Sequence, residues 1–154
     1  MNRVAVSVVD LPQPKWVDSL KRYALKVLAV LGKDRWDLSI VLCGNSTIAA
    51  LNTKYRGKAG ATDVLSFAMD EGERFPGRGR HLPGDVVISL DSLRKNARRF
   101  KVGEDEELRR LLIHGILHLD GMDHQGNGDA EPMLQLQEQI LSNLSGENIL
   151  ESNE

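Results

Sequence analysis

The sequence predicts one α+β domain, a small four-stranded sheet packed with about five helices. Three observations carry that reading. Strand-like segments are confined to the first ninety residues. Helical periodicity runs on without interruption beyond them. No internal repeat or composition-biased linker divides the 154 residues, a length that suits one domain with its own core.

Arg3 to Val9 alternates, with Val4, Val6 and Val8 on one face, and predicts the first strand. Pro12 and Pro14 end it and prepare a helix. Trp16, Leu20, Tyr23, Val27 and Leu31 recur at helical spacing up to Gly32. Leu38 to Cys43 predicts a second strand. Asn45 or Ser46 can cap a short helix reaching about Tyr55. Thr62 to Met69 predicts a third strand, and Gly84 to Leu90 a fourth. Between them lies a loop from about Asp70 to Pro83, rich in glycine, proline and arginine. Asp91 or Ser92 can cap the next helix, with Leu93, Ala97 and Phe100 inward and Arg94, Lys95, Arg98, Arg99 and Lys101 outward. After Gly103 a helix opens with Glu104, Asp105, Glu106 and Glu107, four acids that complement its positive dipole end. A last helix is expected from about Asp129 to Leu144, with a frayed tail after Gly146.

Composition is that of a soluble globular protein, 41% hydrophobic and 27% charged. The lone cysteine, Cys43, ends an apolar run and reads as a small buried hydrophobe. With no disulfide possible inside the chain, a reducing cytoplasm suits it. Met1 to Val9 alternates like a strand rather than forming an apolar leader. No apolar run approaches the ~20 residues of a membrane span. The net charge of −2 conceals a division. Every Lys and Arg lies at or before Arg110, so residues 1–110 hold 20 basic against 14 acidic residues, a formal +6. The last 44 residues carry −8. Such a split either points one surface at a polyanion or reflects an acidic tail alone.

The most informative stretch is His114-Gly-Ile-Leu-His118-Leu-Asp-Gly121-Met-Asp-His124. Residues i and i+4 stand about 40° apart around a helix and ~6 Å apart along it, so His114 and His118 can reach one ion. On a continuing helix His124 would lie ~15 Å down the axis from His114 and roughly 80° away. The chain must therefore turn back, and Gly121 can take the left-handed conformation that lets it. Three imidazoles and one open position mark a catalytic rather than a structural site, in which a water's pKa falls towards ~7. One Zn²⁺ per chain is the expected ion, although the same ligands suit Ni²⁺ and Cu²⁺. The spacing also fits metzincin proteases, but these carry a general-base Glu directly after the first His, where this chain has Gly115.

The motif resembles the signature of the YbeY family of bacterial metal-dependent endoribonucleases. The resemblance extends to Leu51-Asn-x-x-Tyr55-Arg56-Gly-Lys58, Thr62-Asp63-Val-Leu-Ser66-Phe67 and Gly84-Asp85-Val-Val-Ile-Ser89, four blocks in order over roughly residues 38 to 142. Met122 stands where the family usually has Tyr, and Ala59-Gly60-Ala61 where it commonly has Asp-x-Pro. The resemblance implies a small mixed sheet with helices and a metal cleft. It implies a single-strand-specific endoribonuclease acting in maturation of the 16S ribosomal RNA 3′ end and in ribosome quality control. The expected partners are the RNA precursor, the small ribosomal subunit and its assembly factors. It also implies that Arg56 faces the cleft and serves catalysis.

Several further residues admit two readings. Asp63 and Asp85 either orient imidazoles or cap strand ends. Asp123 either supports the last ligand or is solvated. His81 reads as a surface residue. The basic helix face, with Arg74, Arg78 and Arg80 of the loop, either attracts RNA or is merely solvated. The competing functions are a metzincin-like protease, disfavoured by Gly115, and a ribosome-associated factor whose metal only holds the fold.

Overall fold

The computed structural model describes residues 1–69, 79–123 and 131–150. In chain order they form β1 (Arg3–Val8), α1 (Val17–Val30), β2 (Trp36–Cys43), α2 (Asn45–Arg56), β3 (Val64–Ala68), β4 (His81–Ser89), α3 (Leu90–Phe100), α4 (Glu104–Leu119) and α5 (Pro132–Asn143). The predicted α+β class, with four strands and five helices, is the observed one.

The sheet order is β1-β2-β4-β3. β1 and β2 are parallel, β2 and β4 are parallel, and β3 runs antiparallel to β4, so the sheet is mixed. Strand alternation sorts the side chains between two unequal layers. On one face Ile40, Leu42, Val86 and Ile88 join α1, α4 and α5 in the main core. On the other, Cys43, Ile48, Leu65 and Val87 form a small cluster, with Leu51 and Phe67 half-buried against it. That leaves the second face thinly covered beside β3, which is an edge strand.

α4 is the central helix. Leu108, Leu111, Leu112, Ile113, Ile116 and Leu117 are all buried, because sheet and helices surround it. Its polar start is tied down by the C-terminal segment and by its own next turn. Asp105 accepts from the backbone N–H groups of Ile149 and Leu150, both at 2.7 Å, and from Arg109 at 2.8 Å.

Those contacts correct one expectation. The tail after Gly146 does not fray as far as Leu150, because Ile149 is buried in the core and its amide is held by Asp105. Other boundaries shift for identifiable reasons. Gly44, not Asn45 or Ser46, precedes α2, and Asn45 donates its backbone N–H to Asp91. Ser89, rather than Asp91 or Ser92, caps α3 by accepting from the Ser92 N–H at 3.2 Å. β4 begins three residues early, with the His81 ring packed on Trp36. Phe100, expected inward, is 57% exposed because α3 ends there. No helix among the described residues is long and apolar enough to cross a membrane.

Candidate active site

The end of α4 and the edge strand β3 enclose a cleft of about 220 Å³. Arg56, Ser66, Ala68, His114, His118 and Leu119 are among its walls. The helical i, i+4 relation brings the two imidazoles together, with ring centroids 4.7 Å apart and Nε2 to Nε2 at 3.1 Å. Two nitrogens each about 2.0–2.1 Å from one ion at a near-tetrahedral angle stand about 3.3 Å apart. The described pair therefore fits a shared divalent ion. His124 lies outside the described residues. Among the described residues no third His, Cys, Asp or Glu completes a cluster.

The orientation of His114 comes from α5. Its Nδ1 lies 2.6 Å from the amide oxygen of Gln137. An amide oxygen can only accept, so Nδ1 carries the proton and Nε2 keeps its lone pair for the cleft. Gln137 is itself fixed, being only 6% exposed and donating to Glu138 at 3.1 Å. Glu138 takes two hydrogen bonds from Arg110, which hold its carboxyl below the usual carboxylate range. Beside this network, burial pushes the Glu107 carboxyl up.

Sequence reasoning missed Gln137. A polar residue on the apolar stripe of α5, four after Met133 and three before Ile140, was the available signal. Asp63 and Asp85, weighed as imidazole-orienting residues, do not fill that role in the described contacts. Asp63 accepts from Asn96 at 2.8 Å, and its carbonyl accepts from the Ser89 N–H. Asp85 lines a groove on the opposite face of the sheet. The Asp123 carboxylate is 4.0 Å from His118 Nδ1, beyond hydrogen-bond range.

α4 can approach the strands closely because Gly115 has no side chain. A Cβ there would stand 2.5 Å from Val86 Cγ1. The space also lets the Ser66 hydroxyl donate to the Gly115 carbonyl at 3.0 Å. Beyond the pair the chain turns as expected. Gly121 has φ +93°, and the Met122 N–H returns to the Leu117 carbonyl at 3.0 Å.

Arg56 ends α2 and reaches across the free edge of β3. Its Nη2 donates to the Ser66 carbonyl at 2.8 Å, and its guanidinium lies 5.8 Å from the Phe67 ring centroid. It is exposed and lines the same cleft as both histidines. The loop arginines weighed for RNA fare differently. Arg80 is locked to Asp37 at 2.7 Å and to the Met1 carbonyl, so its guanidinium is engaged in the fold. Arg74 and Arg78 lie outside the described residues.

Residues 7–145 match the family model described as Endoribonuclease YbeY. A protein of that name from Treponema pallidum is 46% identical over 144 residues, covering 92% of this chain and 89% of its own. Another, from Aquifex aeolicus, is 39% identical, covering 94% and 93%. The solution structure of a Thermotoga maritima protein is similar with a TM-score of 0.63 at 26% identity, covering 96% of this chain and 91% of that one.

Proposed function

The chain belongs to the YbeY endoribonuclease family, and from that membership we propose a metal-dependent hydrolase that cuts single-stranded RNA. Its substrate in this reading is the 16S ribosomal RNA precursor near its 3′ end, met on the small ribosomal subunit with its assembly factors. The setting is cytoplasmic. The observation that carries the reading is the convergence of the His114 and His118 Nε2 atoms at 3.1 Å in a cleft also lined by Arg56.

His114, His118 and His124 are the ligands in this proposal, with Zn²⁺ the favoured ion and Ni²⁺ an alternative. A divalent ion held there would polarise a phosphoryl oxygen and acidify a water. The residues of the chain supply the rest. Gln137 keeps His114 in the tautomer that offers Nε2 to the cleft. Arg56, at the rim, is placed to neutralise charge growing on phosphoryl oxygens as the bond breaks. Residue 115 is a glycine pressed against Val86, so no carboxylate stands where a metzincin-like protease would have its base.

The deciding experiment incubates metal-loaded and chelated protein with single-stranded RNA, duplex RNA and casein. Cleavage of single-stranded RNA alone, lost on chelation and restored by Zn²⁺, is the expected result. Undiminished RNA cleavage in protein shown to be metal-free would overturn the metal's role. Cleavage of casein instead would favour the protease.

A further inference from the structure

On the far side of β3 from the histidines lies a second groove, of about 600 Å³. Its walls are apolar, with Leu51, Phe67 and Val87 among them, and Tyr55 stands at its rim. Tyr55 is 59% exposed and adjoins the half-buried Leu51 and Phe67, so rim and wall form one contiguous apolar patch. It meets Phe67 edge to face, with centroids 5.5 Å apart. Cations border the same rings. Lys54 Nζ sits 5.1 Å from the Tyr55 centroid, Arg56 sits over Phe67, and Lys58 is exposed just past the end of α2.

The groove adjoins the candidate active site across the edge of β3. Ala68 lines both, and Arg56 spans the strand edge that separates them. Asp85 puts one carboxylate inside the groove. Phosphate is therefore unwelcome there, whereas an uncharged planar ring suits apolar walls with an aromatic rim. The cations outside can follow the phosphates of the same strand.

We propose that Tyr55 and Phe67 form a stacking subsite for one base of the RNA strand, a neighbour of the nucleotide whose phosphate Arg56 holds. This rests on the endoribonuclease reading. Such a subsite needs an unpaired base, because a base in a duplex has no free face to offer. The preference for single strands then has a physical origin in this chain. A strand crosses the β3 edge with its phosphates at Arg56, its scissile bond on the histidine side and a splayed base on the other.

The test uses the metal-loaded protein and short single-stranded RNAs carrying one 2-aminopurine at successive positions. Stacking quenches that fluorophore, and rapid mixing reads it before cleavage. Wild type should quench the probe at one defined position beside the cleaved bond. Tyr55→Phe should keep the quench. Tyr55→Ala, a change at an exposed site, should abolish it and lower kcat/KM roughly tenfold, mainly through KM. Wild-type cleavage with an unaltered quench and KM in Tyr55→Ala overturns the subsite and leaves the groove to a protein partner. A wild type that neither binds nor cleaves single-stranded RNA overturns the subsite and the endoribonuclease reading together.

Discussion

Gln137 Oε1 stands 2.6 Å from His114 Nδ1, so a residue on α5 fixes the tautomer of a proposed metal ligand on α4. Removing such a partner typically costs about 10- to 100-fold in metal affinity. Gln137→Leu keeps the buried volume but cannot accept the hydrogen bond from Nδ1–H. It should weaken zinc binding by about that factor, while Gln137→Glu should retain or tighten it. Competition with a chromophoric chelator measures both. Equal affinity in wild type and Gln137→Leu would refute the orienting role.

Gly115 lies where α4 presses on the sheet. A methyl there would sit 2.5 Å from Val86 Cγ1 and 3.3 Å from Ser66 Oγ. Val86 is fully buried and stiff at χ1, so it has little room to retreat. Overpacking of this kind typically costs about 1–3 kcal/mol, against about 1 kcal/mol gained in helix propensity from Gly to Ala. Gly115→Ala should therefore destabilise wild type. In a Val86→Ala background the clash is gone and the propensity remains, so the same change should become stabilising. Urea unfolding of the four proteins closes the cycle, and simple additivity would contradict the packing account.

Gly115 also marks what the sequence could and could not disclose. The spacing of His114 and His118 reads directly as one helix face, and their convergence follows from helical geometry. The absence of Glu at position 115 was legible as a missing base. Its structural reason, the approach of β4, was not, because it depends on a contact between elements thirty residues apart. Gln137 was legible only as a polar residue on an apolar stripe, since nothing local tells which buried amide meets which ring. Strand boundaries moved only by residues whose pairing is tertiary. The docking of Ile149 onto Asp105 likewise rests on a long-range partner that no tail composition reveals.

Arg56 touches the rest of the fold mainly through one hydrogen bond to the Ser66 carbonyl and its position over Phe67. Because it is exposed, its loss should cost stability only about 1 kcal/mol. Removal of one charge-stabilising donor from an active site costs about 10²–10³ in kcat. Arg56→Ala should thus keep its metal and nearly its melting temperature while RNA cleavage falls by that factor. Normal cleavage would sink the catalytic assignment.

Cys43 is fully buried, and burial pushes its thiol up from 9.0 to about 11. Between those values the unfolded chain releases a proton that the folded chain keeps. The thiol's contribution to stability is therefore complete below about pH 9 and declines as pH rises towards 11. Whatever the offset between wild type and Cys43→Ala at neutral pH, wild type should lose stability more steeply over that interval. Parallel stability curves from pH 8.5 to 10.5 would show that the thiol is not protected. A thiol reagent at pH 8 should correspondingly label only the unfolded protein.

The outward face of α3 is an exposed basic surface. Arg94, Lys95, Arg98 and Arg99 are all solvent-facing, with Lys101 just beyond the helix end. Arg94 stands 3.9 Å from both Asp91 and Glu104, too far for strong pairing. Phe100 is exposed at the end of the helix, beside a cleft that also reaches His114. Each phosphate contact releases condensed counterion, so log K falls with log salt with a slope near −0.7 per contact on single strands. Changing Arg94, Arg98 and Arg99 together to Gln should weaken RNA binding across sequences and flatten that slope by up to about 2. Metal content should be unchanged, because no proposed ligand lies on α3. A triple variant with wild-type affinity and an identical salt slope would make this helix a solvated surface and move the RNA path elsewhere.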